Sequence, residues 1–259
     1  MSAPGTTVVK AWPFPKLIAH RGGGTLAPEN TLAAMRMGHA LGYQAVEFDV
    51  KLSADGVAIL MHDPVLGRTS TGSGEVCRLP YDELARQDAG LWHSPQFAGE
   101  RIPRLTEVAA WLLAHGMRAN VEIKPCPGRD IETGHLVGNL CRDLWLGHKV
   151  QPLVSSFSVA ALTAARRVAP DLSLGLLVKD FEPEHVSVLE SLGCASLNCH
   201  HAQLKPAMVD ALHDRGYRVM VYTVNCVDRA SELAVWGVDS LFTDSLSEMK
   251  SAFPDWLFV

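Results

Sequence analysis

Leu17-Ile18-Ala19-His20-Arg21-Gly22-Gly23-Gly24 opens the decisive segment of this chain, and Pro28-Glu29-Asn30-Thr31, Val46-Glu47-Phe48-Asp49-Val50 and Met61-His62-Asp63 follow it in order. A short apolar run that ends in polar residues reads as a buried strand carrying functional side chains at its C-terminal end. Two histidines, an arginine and two carboxylates at strand ends suit a metal-assisted reaction at a phosphate, and the glycines are expected to let the backbone approach a ligand.

Working outward, short β-rich runs recur near residues 17–20, 45–50, 118–123, 152–156, 172–178, 194–199, 217–224 and 239–243. Helical patterns follow them at 31–41, 105–115, 131–146, 159–168, 183–192, 206–215, 227–236 and 246–252. In the second of these, Leu105, Val108, Ala109, Leu112 and Leu113 share one face. Pro183 and Pro206 stand where a first helical turn accepts proline, and Gly42, Gly116, Gly193, Gly216 and Gly237 stand where helices stop. Strands alternating with helices imply a parallel sheet, and eight such units predict an α/β TIM (β/α)8 barrel over a single domain, residues 1–259. A doubly wound sheet is the alternative, but no G-x-G-x-x-G follows a strand.

Residues 51–104 interrupt the alternation. They are far longer than an ordinary βα loop and predict an inserted subdomain over the barrel mouth. The insertion begins with the hairpin signal Ala54-Asp55-Gly56-Val57. With Asp55 and Gly56 as the two central turn residues, Asp49 falls opposite His62, where cross-strand Cβ atoms lie about 4.5–5.5 Å apart.

Composition narrows the class. Hydrophobic residues make up 47% of the chain and charged residues 20%, enough for a sizeable core. A net charge of −5 argues against a nucleic-acid partner. No segment reaches the length of a membrane span, and Met1 to Lys16 lack the apolar run of a secretory signal, so a cytoplasmic location is expected without membrane insertion. The six cysteines form no C-x-x-C pair and are expected to be buried free thiols.

Glu47 and Asp49 share a side of their strand, as do Glu122 and Lys124. Three carboxylates meeting at a barrel mouth repel one another unless a cation lies among them, and an all-oxygen set favours Mg²⁺ or Ca²⁺, with Mn²⁺ also admissible. Arg21 suits bidentate contact with a phosphate and Lys124 a point charge to another oxygen, although both can also neutralise Glu47 or Glu122. His20 and His62 end strand-like segments beside this cluster, and one imidazole can take a proton while the other gives one. His200-His201 and the late-strand aromatics Tyr222 and Phe242 are candidates for the pocket wall. Asn30 or Thr31 is a natural helix N-cap. The other seven histidines, including His93, read as ordinary helix-face or loop residues.

The ordered set His20-Arg21-Gly22, Pro28-Glu29-Asn30-Thr31, Glu47-Phe48-Asp49-Val50, Asp55-Gly56, His62-Asp63, Val121-Glu122-Ile123-Lys124, Thr223-Val224-Asn225 and Phe242-Thr243-Asp244 resembles the glycerophosphodiester phosphodiesterase family over roughly residues 16–250. The resemblance implies a metal at Glu47, Asp49 and Glu122, catalysis by His20 and His62, an insertion after the second strand, and a supporting role for Glu29. It also implies hydrolysis of small glycerophosphodiesters, such as glycerophosphocholine or glycerophosphoethanolamine, to an alcohol and sn-glycerol 3-phosphate. Tyr222, expected by the resemblance at the substrate pocket, departs from the tryptophan of many relatives, a change that bears on head-group contacts and touches no catalytic position. A lysophospholipase D or sphingomyelinase D-like activity, and a non-catalytic phosphate-binding barrel, are the alternatives.

Overall fold

The computed structural model describes residues 12–259; residues 1–11, part of the stretch read above for a secretory signal, lie outside the described residues. In chain order the strands are β1 (Leu17–Ala19), β2 (Ala45–Leu52), β3 (Ala58–Leu60), β4 (Arg118–Ile123), β5 (Leu153–Ser156), β6 (Ser173–Val178), β7 (Ser196–His200), β8 (Arg218–Tyr222) and β9 (Ser240–Thr243). The parallel strands pair in the order β1-β9-β8-β7-β6-β5-β4-β2, and β2 returns to β1 through Val46 beside Ala19, so the sheet closes into a TIM barrel. β3 lies outside the ring, antiparallel to the end of β2. The flanking helices are α1 (Leu32–Ala40), α3 (Leu105–Ala114), α4 (Asp130–Leu144), α5 (Val159–Val168), α6 (His185–Leu192), α7 (Pro206–His213), α8 (Val227–Val235) and α9 (Leu246–Ala252), while the single turn α2 (Tyr81–Leu84) belongs to the insertion.

β2 shows why the sequence folds this way. All eight of its residues are buried. Its outward positions Val46, Phe48 and Val50 join the large apolar cluster beneath the helices, whereas Ala45, Glu47 and Asp49 face the barrel interior. Ala45 packs there with Phe14, Ile18, Leu153, Met220 and Phe242. Strand β2 is thus apolar on the helix side and turns acidic on the inside only as it nears its C-terminal end, where barrel sites are built.

Most predicted elements are present with shifts at their ends. α6 begins at His185 rather than at residue 183, leaving Pro183 in the preceding turn, whereas α7 does begin at Pro206. Gly193 closes α6 in the left-handed region at φ 58°. All six cysteines are free; Cys126, Cys141, Cys194 and Cys199 are buried, but Cys77, in a short turn of the insertion, is half-buried and Cys226, at the start of α8, is exposed. No helix among the described residues is long and apolar enough to cross a membrane.

The hairpin register differs from the expected one. Val50 pairs with Leu60, Lys51 with Ile59 and Leu52 with Ala58, so the partner of Asp49 is Met61, whose N–H donates to the Asp49 carbonyl at 3.0 Å. Ser53 N–H donates to Val57 at 3.0 Å, and the loop holds three residues, Ala54, Asp55 and Gly56, with Gly56 at φ 79°. This is the three-residue turn with a left-handed glycine, not the two-residue turn that would have set His62 against Asp49. Beyond β3 the insertion gathers Ile59, Met61, Leu66, Val76, Leu84, Ala89 and Ile102, with Cys126 of the barrel, into an apolar cluster of its own.

Candidate active site

β2 and β4 are parallel neighbours in a register that sets Asp49 beside Glu122 and Glu47 beside Asn120. Side chains two apart on one strand point the same way, so Glu47, Asp49 and Glu122 converge, with one oxygen of each within 4.8 Å of the others. All three are buried. Burial, followed by the Asp49 charge, pushes Glu47 up to about 7 and Glu122 up to about 8. Burial also works against the Asp49 carboxylate, but the Lys124 ammonium and the Arg21 guanidinium outweigh it and hold Asp49 well below the ordinary range. Oε1 of Glu47 is buried and accepts no hydrogen bond. A buried carboxylate oxygen without a donor, in an all-oxygen set of three acids, fits a hard divalent cation.

Each histidine has a carboxylate behind it. His20, just past the end of β1, donates from Nδ1 to Asp244 Oδ1 at 2.6 Å and places Nε2 3.8 Å from Glu47 Oε2. Burial lowers its affinity for a proton, but Asp244 and Glu47 outweigh burial and the net shift is upward. His62 donates from Nδ1 to Asp63 Oδ1 at 2.8 Å, and burial leaves its pKa lowered. His62 reaches the site because it lies past β3 and past the last hairpin bond, from the Met61 N–H to the Asp49 carbonyl, so side-chain alternation no longer dictates its direction.

Arg21, at φ 50°, donates its backbone N–H to Glu47 at 3.0 Å and Nη1 to Glu29 at 2.7 Å, while its buried Nε makes no hydrogen bond and lies 3.6 Å from Asp49. Lys124 Nζ lies 3.1 Å from both Asp49 Oδ1 and Glu122 Oε1. Lys124 thus pairs with Glu122 as well as Asp49, whereas the Arg21 guanidinium pairs with Glu29 and Asp49 rather than with Glu47 or Glu122. Lys51 is buried beneath them and donates to the carbonyls of His62 and Lys124 at 2.8 and 3.2 Å.

A cavity of about 360 Å³ brings together His20, Arg21, Glu47, Asp49, His62, Glu122 and Lys124. Phe157, Leu177, His200, Tyr222, Thr223 and Phe242 form its far wall. Tyr222 donates its hydroxyl to the Val178 carbonyl at 2.8 Å, which leaves the ring as an apolar surface. His201 is not in this wall; it turns to Arg229 because the chain has left β7 at His200. A second cavity, about 460 Å³, shares His20, Arg21 and Thr223 and is bounded by Gly24, Thr25, Glu29, Trp92, His93 and Asp244. His93, read from the sequence as an ordinary loop residue, borders the site and joins the insertion to Thr25 at 3.0 Å.

The model of the glycerophosphoryl diester phosphodiesterase family matches residues 20–248. The chain belongs to this family. A glycerophosphodiester phosphodiesterase of Caldanaerobacter subterraneus is 30% identical over 88% of this chain and 93% of that protein. Among solved structures, an Oleispira antarctica phosphodiesterase in complex with the product sn-glycerol-3-phosphate is 34% identical with a TM-score of 0.88, covering 93% of this chain and 98% of that one. A glycerophosphodiester phosphodiesterase of Agrobacterium tumefaciens is 28% identical with a TM-score of 0.76, covering 90% and 98%.

Several residues of this glycerophosphodiester phosphodiesterase site escaped the sequence reading. Asp244 and Asn225 belong to motifs quoted above without a role; the Asp244 backbone N–H donates to Asn225 Oδ1 at 2.8 Å, which anchors Asp244. Asn30 is not the α1 cap, because Thr31 accepts the Ala34 N–H. Instead Asn30 grips Asp49. Chain packing also requires these glycines: a Cβ on Gly24, which borders the second cavity, would stand 2.2 Å from the Asp244 carbonyl oxygen, and one on Gly22 2.8 Å from the Met35 sulfur.

Proposed function

We propose that this chain, in keeping with its family, hydrolyses glycerophosphodiesters such as glycerophosphocholine and glycerophosphoethanolamine to an alcohol and sn-glycerol 3-phosphate. The observation that supports it most is the pairing of two carboxylate-backed histidines with a buried three-carboxylate cluster in one cavity. The Oleispira relative, which holds sn-glycerol-3-phosphate on the same fold, supports the substrate class.

Glu47, Asp49 and Glu122 would hold one divalent cation, Mg²⁺ or Ca²⁺. Bound there, it supplies positive charge that polarises the phosphoryl group. Arg21, with its unpartnered Nε, offers donors to phosphate oxygens, and Lys124 can exchange its carboxylate contacts for the negative charge that grows on the phosphoryl oxygens. Asp244 and Asp63 fix the Nδ1–H tautomers, so Nε2 of His20 and of His62 is the nitrogen left to move protons: one takes a proton from the attacking oxygen and the other gives one to the leaving alcohol. Phe157, Tyr222 and Phe242 exclude water from the far wall and suit the carbon face of glycerol.

A panel of glycerophosphodiesters, lysophospholipids and sphingomyelin at fixed Mg²⁺ tests the reading. The small water-soluble diesters should turn over fastest. Preferential cleavage of a lipid substrate would move the chain to the lysophospholipase D-like alternative, and no turnover of any member would favour a binding barrel.

A further inference from the structure

We propose that Arg68, on the insertion, is a positioning residue that holds His62 and Arg21 in one arrangement by bridging the carboxylates behind them. Its Nε donates to Asp63 Oδ2 at 2.5 Å and its Nη2 to Asp63 Oδ1 at 3.1 Å. On the other side Nη1 donates to Glu29 Oε2 at 3.0 Å and Nη2 to Glu29 Oε1 at 2.8 Å. Asp63 in turn accepts from His62, and Glu29 accepts from Arg21. One planar guanidinium thus makes two-point contact with two carboxylates, a geometry that an ammonium cannot reproduce.

The two histidines differ in what lies behind their carboxylates. Asp244 follows β9, and Asn225 holds it from the loop after β8, so the partner of His20 is tied to the barrel. Asp63 has no such support, since the chain leaves the sheet after Leu60. Arg68 supplies it by fastening Asp63 to Glu29, which sits at the start of the segment leading into α1. Arg68 borders neither cavity of the site and therefore acts through its partners. Its side chain is 47% exposed. Exposed ion pairs contribute little to stability, whereas a small displacement of a reacting group costs about 10²-fold in rate. Removal of Arg68 should therefore change turnover far more than melting.

The test compares Arg68→Ala and Arg68→Lys. For Arg68→Ala, kcat should fall about tenfold to hundredfold and KM should rise, with little change in Tm. Arg68→Lys should recover only part of the loss, and millimolar ethylguanidinium should restore activity to Arg68→Ala but not to Arg68→Lys. The proposal rests on the hydrolase reading, which turnover by the unsubstituted chain tests separately. A second measurement is independent of turnover: the ring Nδ1 proton of His62, identified in ¹⁵N-histidine spectra by its loss in His62→Gln, should be protected from exchange in the unsubstituted chain and lose that protection in Arg68→Ala. An unchanged His62 proton, kinetic constants within about twofold of the unsubstituted chain, or a large fall in Tm with no rescue would each overturn the proposal.

Discussion

Asn30 holds Asp49 from two directions: its Nδ2 donates to Asp49 Oδ2 at 2.9 Å, and its Oδ1 accepts the Asp49 backbone N–H at 3.0 Å. Both residues are buried, and Asn30 sits at φ 60°. Asn30→Ala removes a hydrogen bond to a buried charge and leaves a backbone donor unsatisfied, at a cost on the order of 3 kcal/mol, while its Cβ, which asparagine also has, keeps the left-handed strain of about 1–2 kcal/mol that only glycine relieves. Asn30→Gly relieves the backbone but not the lost amide. Thermal melting should therefore rank the unsubstituted chain above Asn30→Gly and Asn30→Gly above Asn30→Ala. Calorimetric titration should show weaker Mg²⁺ binding for both variants; undiminished affinity in Asn30→Gly would remove the amide from any role in holding Asp49 as a ligand.

The cluster makes the cation-free protein sensitive to alkali. Burial raises Glu47 to about 7 and Glu122 to about 8, so the folded state keeps protons that the unfolded chain releases near the ordinary carboxylate value. Between those limits the folded state binds more protons than the unfolded state, and stability falls as pH rises. Asp49, held low by Lys124 and Arg21 against its burial, acts oppositely and only in acid. In chelator, Tm should drop from about pH 5 to about pH 8, and the stabilisation given by added Mg²⁺ should grow over the same range because bound protons compete with the cation. A chelated protein whose Tm rises through this interval would contradict the environment assigned to Glu47 and Glu122.

His20 and His62 can be separated by the leaving group. Each of His20→Ala and His62→Ala should lower glycerophosphocholine turnover by about 10²–10⁴-fold, the value of general acid–base assistance. The variant lacking the proton donor should regain much of that loss on a nitrophenyl phosphodiester, whose leaving group needs no proton. Asp244→Asn should reproduce the pattern of His20→Ala, because Asp244 selects the His20 tautomer through the 2.6 Å contact. Full activity in Asp244→Asn, or a leaving-group pattern matching His62→Ala, would contradict that pairing.

The barrel was legible because β2 and its parallel neighbours carry their signal locally. Val46, Phe48 and Val50 announce a buried outer face, and Glu47 and Asp49 announce an inner one that cannot be mere packing. Gathering Glu47, Asp49 and Glu122 required only the two-residue period and parallel register. The hairpin was less legible, since Asp55-Gly56 is compatible with two loop lengths and one residue decides which face each partner shows. His62 still entered the site because its strand had already ended. Asp244, Asn30 and Arg68 were hidden for another reason: each acts on a residue distant in sequence, and such partners emerge only when the barrel closes and the insertion folds over it.

Glu47, Asp49 and Glu122 should make cleavage of a glycerophosphodiester depend on a divalent cation. Following glycerophosphocholine by ³¹P NMR, first with chelator-treated protein and then after Mg²⁺ addition, tests it most directly. The diester resonance should stay unchanged in chelator and give way to that of sn-glycerol 3-phosphate once Mg²⁺ is present, with Glu122→Gln requiring far more cation for the same rate. Equal turnover in chelator, or a diester resonance that persists at saturating Mg²⁺, Ca²⁺ and Mn²⁺, would contradict it.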